Sequence, residues 1–301
     1  MEDSITMNTS AVTISIIGVV SSLFTCFMNI YLLKNNPKKK KEMVLFYYRF
    51  FLDVILGALV AAFLAFVITY SFFSEMVSNY QSLIFYLSLP ASNVGAIRSI
   101  VTLSVAIERI VAAYTPIFFH NYRQLCPTWI ILILAICFGL TEDLVLYGFC
   151  QFHLNIPKNC AALGCAINSC FLYYWTTHKS MIFAFTFVFA VMLCIKLFIL
   201  NKSKDGVIEL SRVNRLALID AATVCVFDFL PSFIANQFSN TQFFKFENIG
   251  PYGAVAKLFG CAIEACLVFQ TLIRSKEQGT VEESKSIGRR GTRKMTEVRI
   301  A

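Results

Sequence analysis

Seven apolar stretches of roughly membrane-spanning length divide the chain, separated by shorter polar segments. They are Ala11–Leu33, Val44–Phe66, Leu83–Ala113, Thr128–Phe149, Ser180–Leu200, Leu216–Phe238 and Pro251–Ile273. A helix crosses the hydrocarbon of a bilayer in about 20 residues at about 1.5 Å of rise each, so every stretch is long enough. The pattern predicts an all-α membrane protein, a seven-helix bundle over residues 1–273. The polar, charge-mixed segment 274–301 reads as a disordered tail.

Composition strengthens this picture. The chain of 301 residues is 57% hydrophobic and only 15% charged, with a mean hydropathy of +0.66 and thirty phenylalanines. A soluble domain carries about 25% charged residues and has no single core that hides so many aromatic rings.

Charge adds an orientation. Nineteen lysines and arginines fall in the odd-numbered loops and the tail, among them Lys38, Lys39, Lys40, Lys41, Arg123 and Arg290. Only Lys158, Lys179 and Lys245 fall on the opposite side. Basic residues gather on the cytoplasmic face, which predicts an outside N-terminus and a cytoplasmic C-terminus. The net charge of +8 is this asymmetry, so it points to no nucleic-acid surface. Asn8, in Asn8-Thr9-Ser10, is a glycosylation candidate in the segment placed outside. The first stretch ends in a lysine cluster, opposite in polarity to a secretory signal, and is expected to be an uncleaved anchor.

Four of the eleven cysteines, Cys150, Cys160, Cys165 and Cys170, crowd into the long outer loop, Cys150–Lys179. In an oxidising compartment they are disulfide candidates for a lid over an outer cavity, and their spacing leaves the pairing open.

Ionisable residues inside apolar stretches cost at least a few kcal/mol, so each needs a partner or a purpose. Arg49 and Asp53 are four residues apart on one helical face and can pair. Arg98, Asp228, Lys257 and Asp143 map to the outer half of the bundle and are candidates for a polar ligand pocket. Asp228 and Lys257 are also placed to neutralise one another. Glu264 lies near the middle of the seventh stretch.

At the inner end of the third stretch, Glu108 and Arg109 are followed by Pro116, seven residues after the arginine. This spacing resembles the Asp/Glu-Arg-Tyr…Pro segment of rhodopsin-like G-protein-coupled receptors. There the acid holds the arginine at rest and releases it to the G protein on activation. The resemblance extends to Asn29 in the first helix, Asp53 in the second and the Phe229-Leu230-Pro231 bend in the sixth. With Arg49 and Glu264 these are the helix-switch candidates. The chain departs from that pattern in lacking Asn-Pro-x-x-Tyr in the seventh stretch, a cysteine at the outer end of the third and a tyrosine after Arg109.

The segments FYYRFFLDVILG, IERIVAAYTPIFFHNYR and TVCVFDFLP, together with the cysteine-rich loop before the fifth stretch, resemble the nematode serpentine chemoreceptors of class BC. The resemblance implies a receptor in the ciliary membrane of a sensory neuron. It would detect an external small molecule, of pheromone type in relatives, and activate a heterotrimeric G protein, alone or in a receptor heteromer. A ligand-gated seven-helix odorant channel is the alternative, but it requires an inside N-terminus, against the basic asymmetry. A membrane carrier is a further alternative, although no inverted repeat is visible. No enzyme, cofactor or metal is expected: His120, His153 and His178 are scattered, and no nucleophile elbow or phosphate loop occurs.

Overall fold

The computed structural model describes residues 9–35, 43–122, 127–157, 160, 162–202, 212–237 and 251–271. Asn8, Lys38 to Lys41, Arg123 and the tail 274–301 lie outside the described residues.

Seven long helical segments form the protein, with no strand among the described residues. They are α1 (Thr9–Asn35), α2 (Val44–Phe72), α3 (Leu83–Tyr114), α4 (Thr128–Phe149), α5 (Ser169–Lys202), α6 (212–237) and α7 (Tyr252–Thr271). α1, α2, α4, α5 and α7 are long and apolar enough to cross a membrane on length and composition alone. α3 and α6 fall outside that set, and both carry charge to the interior. The buried face of α3 holds Ser88, Ser92, Arg98, Ser99 and Thr102. The buried face of α6 holds Asp220 and Asp228.

Exposure is inverted relative to a soluble protein. Phe27, Leu134 and Phe198 are more than half exposed, whereas Ser15, Ser22, Thr25, Arg49 and Glu142 are completely buried. Lipid is as apolar as leucine, so burial of hydrocarbon does not drive these helices together; close packing and interhelical polar contacts do. Small residues permit the approach. A Cβ added at Gly57 would come within 2.7 Å of the Cys26 sulfur, which is how α2 seats against α1. One added at Gly139 would lie 2.5 Å from Ile97, which fixes α4 against α3. α3 is the central helix, packed against α2, α4, α5 and α6.

Two helices carry a wider, π-helical turn. In α6 it spans Cys225–Phe229, just before Pro231. Proline has no N–H to donate and its ring crowds the carbonyl four residues earlier, so the backbone opens there. In α4 the wide turn is Leu144–Phe149, directly after Glu142 and Asp143 and ending at Cys150.

α5 begins at Ser169 rather than Ser180, so the loop between α4 and α5 is shorter than Cys150–Lys179. The extra turns, FLYYWTTHK, are polar enough to escape a hydropathy reading, yet their Trp175, His178 and Lys179 point into the bundle. α2 likewise runs past Phe66 to Phe72. In the remaining loop Cys150 bridges Cys170, and Cys160 bridges Cys165 inside that larger loop.

Candidate functional site

The middle of the bundle is an ion network. Arg49 of α2 pairs with Asp220 of α6 at 2.7 Å and with Glu264 of α7. Arg98 of α3 pairs with Asp53 of α2, and its guanidinium also reaches Glu264 at 3.3 Å and Asp228 at 3.7 Å. Lys257 of α7 then meets Asp228 at 3.6 Å. Three cations and four carboxylates thus tie α2, α3, α6 and α7 together. Arg49 and Asp53, which could pair with each other, instead have separate partners on other helices. Although one turn apart, both point inward, where guanidinium forks and carboxylates from three neighbouring helices converge.

Above this network, toward the disulfide-bonded loop, lies a cavity of about 160 Å³. A buried water needs roughly 10–15 Å³ on the same measure, so the space is of ligand size. Its walls come from α2, α3, α5, α6 and α7, and Ala162, Leu163 and Gly164 of the loop close over it. Most of the lining is apolar, including Leu56, Val60, Phe63 and Phe183. The charged groups that reach it are Lys179, Lys257 and Asp228. Gly95 makes room for Lys257: a Cβ there would stand 3.3 Å from the ammonium nitrogen.

One wall is braced by a second polar cluster. Trp175 Nε1 donates to Ser92 Oγ at 2.7 Å, and Ser92 Oγ donates to the buried Glu142 carboxylate at 2.7 Å. The other Glu142 oxygen lies 3.2 Å from His178 Nε2, while His178 Nδ1 is 3.0 Å from the Tyr174 carbonyl. Lys179 Nζ sits 3.8 Å over the Trp175 ring, a cation–π contact, and 3.4 Å from Ser92 Oγ.

At the opposite end of α3, Glu108 Oε1 accepts from Arg109 Nη2 at 2.6 Å. The Arg109 side chain is nearly buried and its guanidinium lies 5.9 Å from the Phe119 ring. Phe119 belongs to a short helix, Pro116–Tyr122, that Pro116 opens. Proline suits a first helical position because no intrahelical partner is needed for the N–H it lacks. Arg98 and Arg109 are eleven residues apart on one helix, about 16 Å along its axis.

Of the pocket candidates, Asp228 and Lys257 line the cavity and Arg98 and Asp143 do not. Arg98 lies beneath the floor, consumed by three carboxylates, and Asp143 accepts a hydrogen bond from Asn93 at 2.9 Å. Among the switch candidates, Asn29 is buried and donates to the Thr25 carbonyl of its own helix. Phe229 stacks on Phe233 and meets Phe183 edge-on. Sequence reasoning missed Ser92, Trp175, His178, Lys179 and Asp220. Asp220 carried the same signal as the others, an acid in an apolar run. Lys179 was assigned to a loop because the polar residues beside it lowered the local hydropathy.

No match was found among curated proteins. The family described as "Serpentine type 7TM GPCR chemoreceptor Srbc" matches over residues 7–276, nearly the whole chain. With a seven-helix membrane bundle and a match of that extent, the chain belongs to the Srbc family of serpentine chemoreceptors.

Proposed function

We propose that this chemoreceptor binds an external small molecule in the cavity beneath the disulfide-bonded loop and activates a heterotrimeric G protein at the Glu108–Arg109 end of α3. The observation that carries the reading is that α3 runs from one site to the other. Ser92 and Gly95 border the cavity, Arg98 joins the ion network, and Arg109 lies at the far end. The basic asymmetry of the sequence supports placing the cavity outside and Arg109 in the cytoplasm. On this reading the receptor is in the plasma membrane, with a sensory cilium the expected site for a chemoreceptor.

The mechanism is coupling between two sites. A ligand activates only by favouring one arrangement of the bundle over another, and the G protein must then favour ligand binding by the same factor. Arg109 is held by Glu108 in the arrangement described. Release of this latch would free a guanidinium with five donors for carbonyls or carboxylates on the G protein. Asp228 is the natural relay, since it touches both the cavity lysine and the network arginine.

The test is a second-messenger assay in cells that express the chain with a supplied G protein. Fractions of nematode-conditioned medium are applied to wild type and to Arg109→Ala, and surface levels are checked in both. The expected result is a response in wild type that the variant loses at equal surface level. An undiminished response in the variant would rule out the latch.

A further inference from the structure

We propose that the cavity takes an anion with an apolar tail, its head group held between the ammonium groups of Lys179 and Lys257. The proposal deepens the receptor reading above and rests on it for the claim that filling this cavity is the signal.

The argument is one of charge balance in an enclosed space. On the α5 side, the Lys179 ammonium lies over the Trp175 ring and near Ser92 Oγ. Among the described residues no carboxylate comes within ion-pair distance of it. Glu142, the nearest acid in this cluster, has its oxygens directed at Ser92 and His178. On the α7 side, Asp228 is the one carboxylate within ion-pair distance of Lys257 among the described residues, at 3.6 Å, and it also lies 3.7 Å from Arg98, which Asp53 and Glu264 hold as well. Lys179 feels the Glu142 carboxylate behind the wall more strongly than it feels the Lys257 ammonium across the cavity, but only the two ammonium groups and Asp228 face the cavity. Among the residues that line the cavity, two ammonium groups therefore face one carboxylate, the other acids lying behind the wall, and the apolar lining gives little dielectric screening.

An incoming cation would find only Asp228, already claimed twice. A neutral ligand would leave the lysine repulsion in place. An anion relieves it, and lysine's compact, rotatable ammonium suits a head group approaching from an open cavity. Leu56, Val60 and Phe183 offer the tail an apolar wall. A carboxylate drawn to Lys257 also competes with Asp228, which is then left to Arg98 and the network around Asp53 and Glu264. Occupancy of the cavity is in this way felt at the centre of the bundle.

The experiment uses the two tryptophans of the chain, Trp129 and Trp175. Trp129 is exposed on α4, so Trp129→Phe leaves Trp175, under the Lys179 ammonium, as the sole reporter. The full chain carrying this change is placed in phosphatidylcholine nanodiscs and titrated with hexanoate, hexanol and hexylammonium, which share one tail. The expected result is a saturable change in Trp175 fluorescence with hexanoate alone. The change is expected to disappear in Lys179→Gln/Lys257→Gln and to survive in the charge-preserving Lys179→Arg, which controls for misfolding. Equal responses to the three probes, or a hexanoate response that persists without both lysines, would overturn the proposal.

A parallel titration with phosphatidylglycerol in the nanodisc separates the two sources of an anionic head group. A lysine-dependent Trp175 change on adding this lipid, with hexanoate then unable to add to it, supports the anion site and assigns it to a membrane lipid. Hexanoate binding without any second-messenger response in cells would sink the receptor reading while leaving the anion site standing.

Discussion

Charge in the mid-bundle network and charge at the cavity wall both sit at membrane depth, yet they are balanced in opposite ways. Arg49 is fully buried and flanked by two carboxylates from two other helices. Lys257 is more open, at 15% side-chain exposure, and holds only a share in Asp228. Lys179 has an aromatic face and a hydroxyl for company. Charge matched on every side fastens helices together; charge left with one bare side toward an empty volume can read what enters. On the proposal made above, the same residue types serve structure in one layer and recognition in the next.

The sharpest way to break this comparison is to remove a network cation. Arg49→Met should strand Asp220 and leave Glu264 to Arg98 alone, at a cost of about 3–5 kcal/mol, as for other broken buried pairs. Thermal unfolding of the purified chain, together with surface level in cells, measures it. Adding Asp220→Asn to that variant should recover part of the loss, since the stranded charge is then gone.

The disulfide-bonded loop gives the next largest effect. The Cys150–Cys170 bridge closes a loop of 20 residues and Cys160–Cys165 one of 5. Loop-closure entropy grows with the logarithm of length, so removing the first should cost about 1 kcal/mol more than removing the second. Paired Cys→Ser variants, compared by thermal unfolding, decide the order.

Changes at the cavity wall should be smaller in stability and visible in binding. Lys257→Gln is expected to unfold within about 1 kcal/mol of wild type, because Arg98 still neutralises Asp228. It should weaken hexanoate at least tenfold in the nanodisc titration. Trp175→Phe removes the indole N–H that donates to Ser92 and weakens the cation–π seat of Lys179. That loss of about 0.5–1 kcal/mol corresponds to a few-fold weaker hexanoate binding, followed by thermal shift in place of fluorescence.

How much of this was visible in the sequence follows from the range of each interaction. A membrane span is a local property, so seven apolar stretches could be read directly, and each contains or overlaps an observed helix. The identity of the intramembrane charges was equally local: Arg98, Asp228, Lys257 and Glu264 stood out against apolar neighbours. Their partners were not legible, because the pairs join residues up to 215 positions apart. The possible Arg49–Asp53 pair gave way to partners on other helices for that reason; spacing along one helix predicts which side chains share a face but not what faces them. The start of α5 was missed for a related cause. Trp175, His178 and Lys179 lower the hydropathy of a turn whose polar side is turned inward to Ser92 and Glu142, and only the neighbouring helices reveal that.

The most direct test of the contrast between fastening and recognising charge is one set of thermal unfolding curves. Wild type, Arg49→Met and Lys257→Gln are purified in the same nanodiscs and melted with and without hexanoate. Arg49→Met is expected to melt far below wild type and still be raised by hexanoate, whereas Lys257→Gln should melt near wild type and need at least tenfold more hexanoate for the same gain. If instead Lys257→Gln were as unstable as Arg49→Met, or kept its hexanoate gain, the lysine would be a structural tie like the arginine and the contrast would fail.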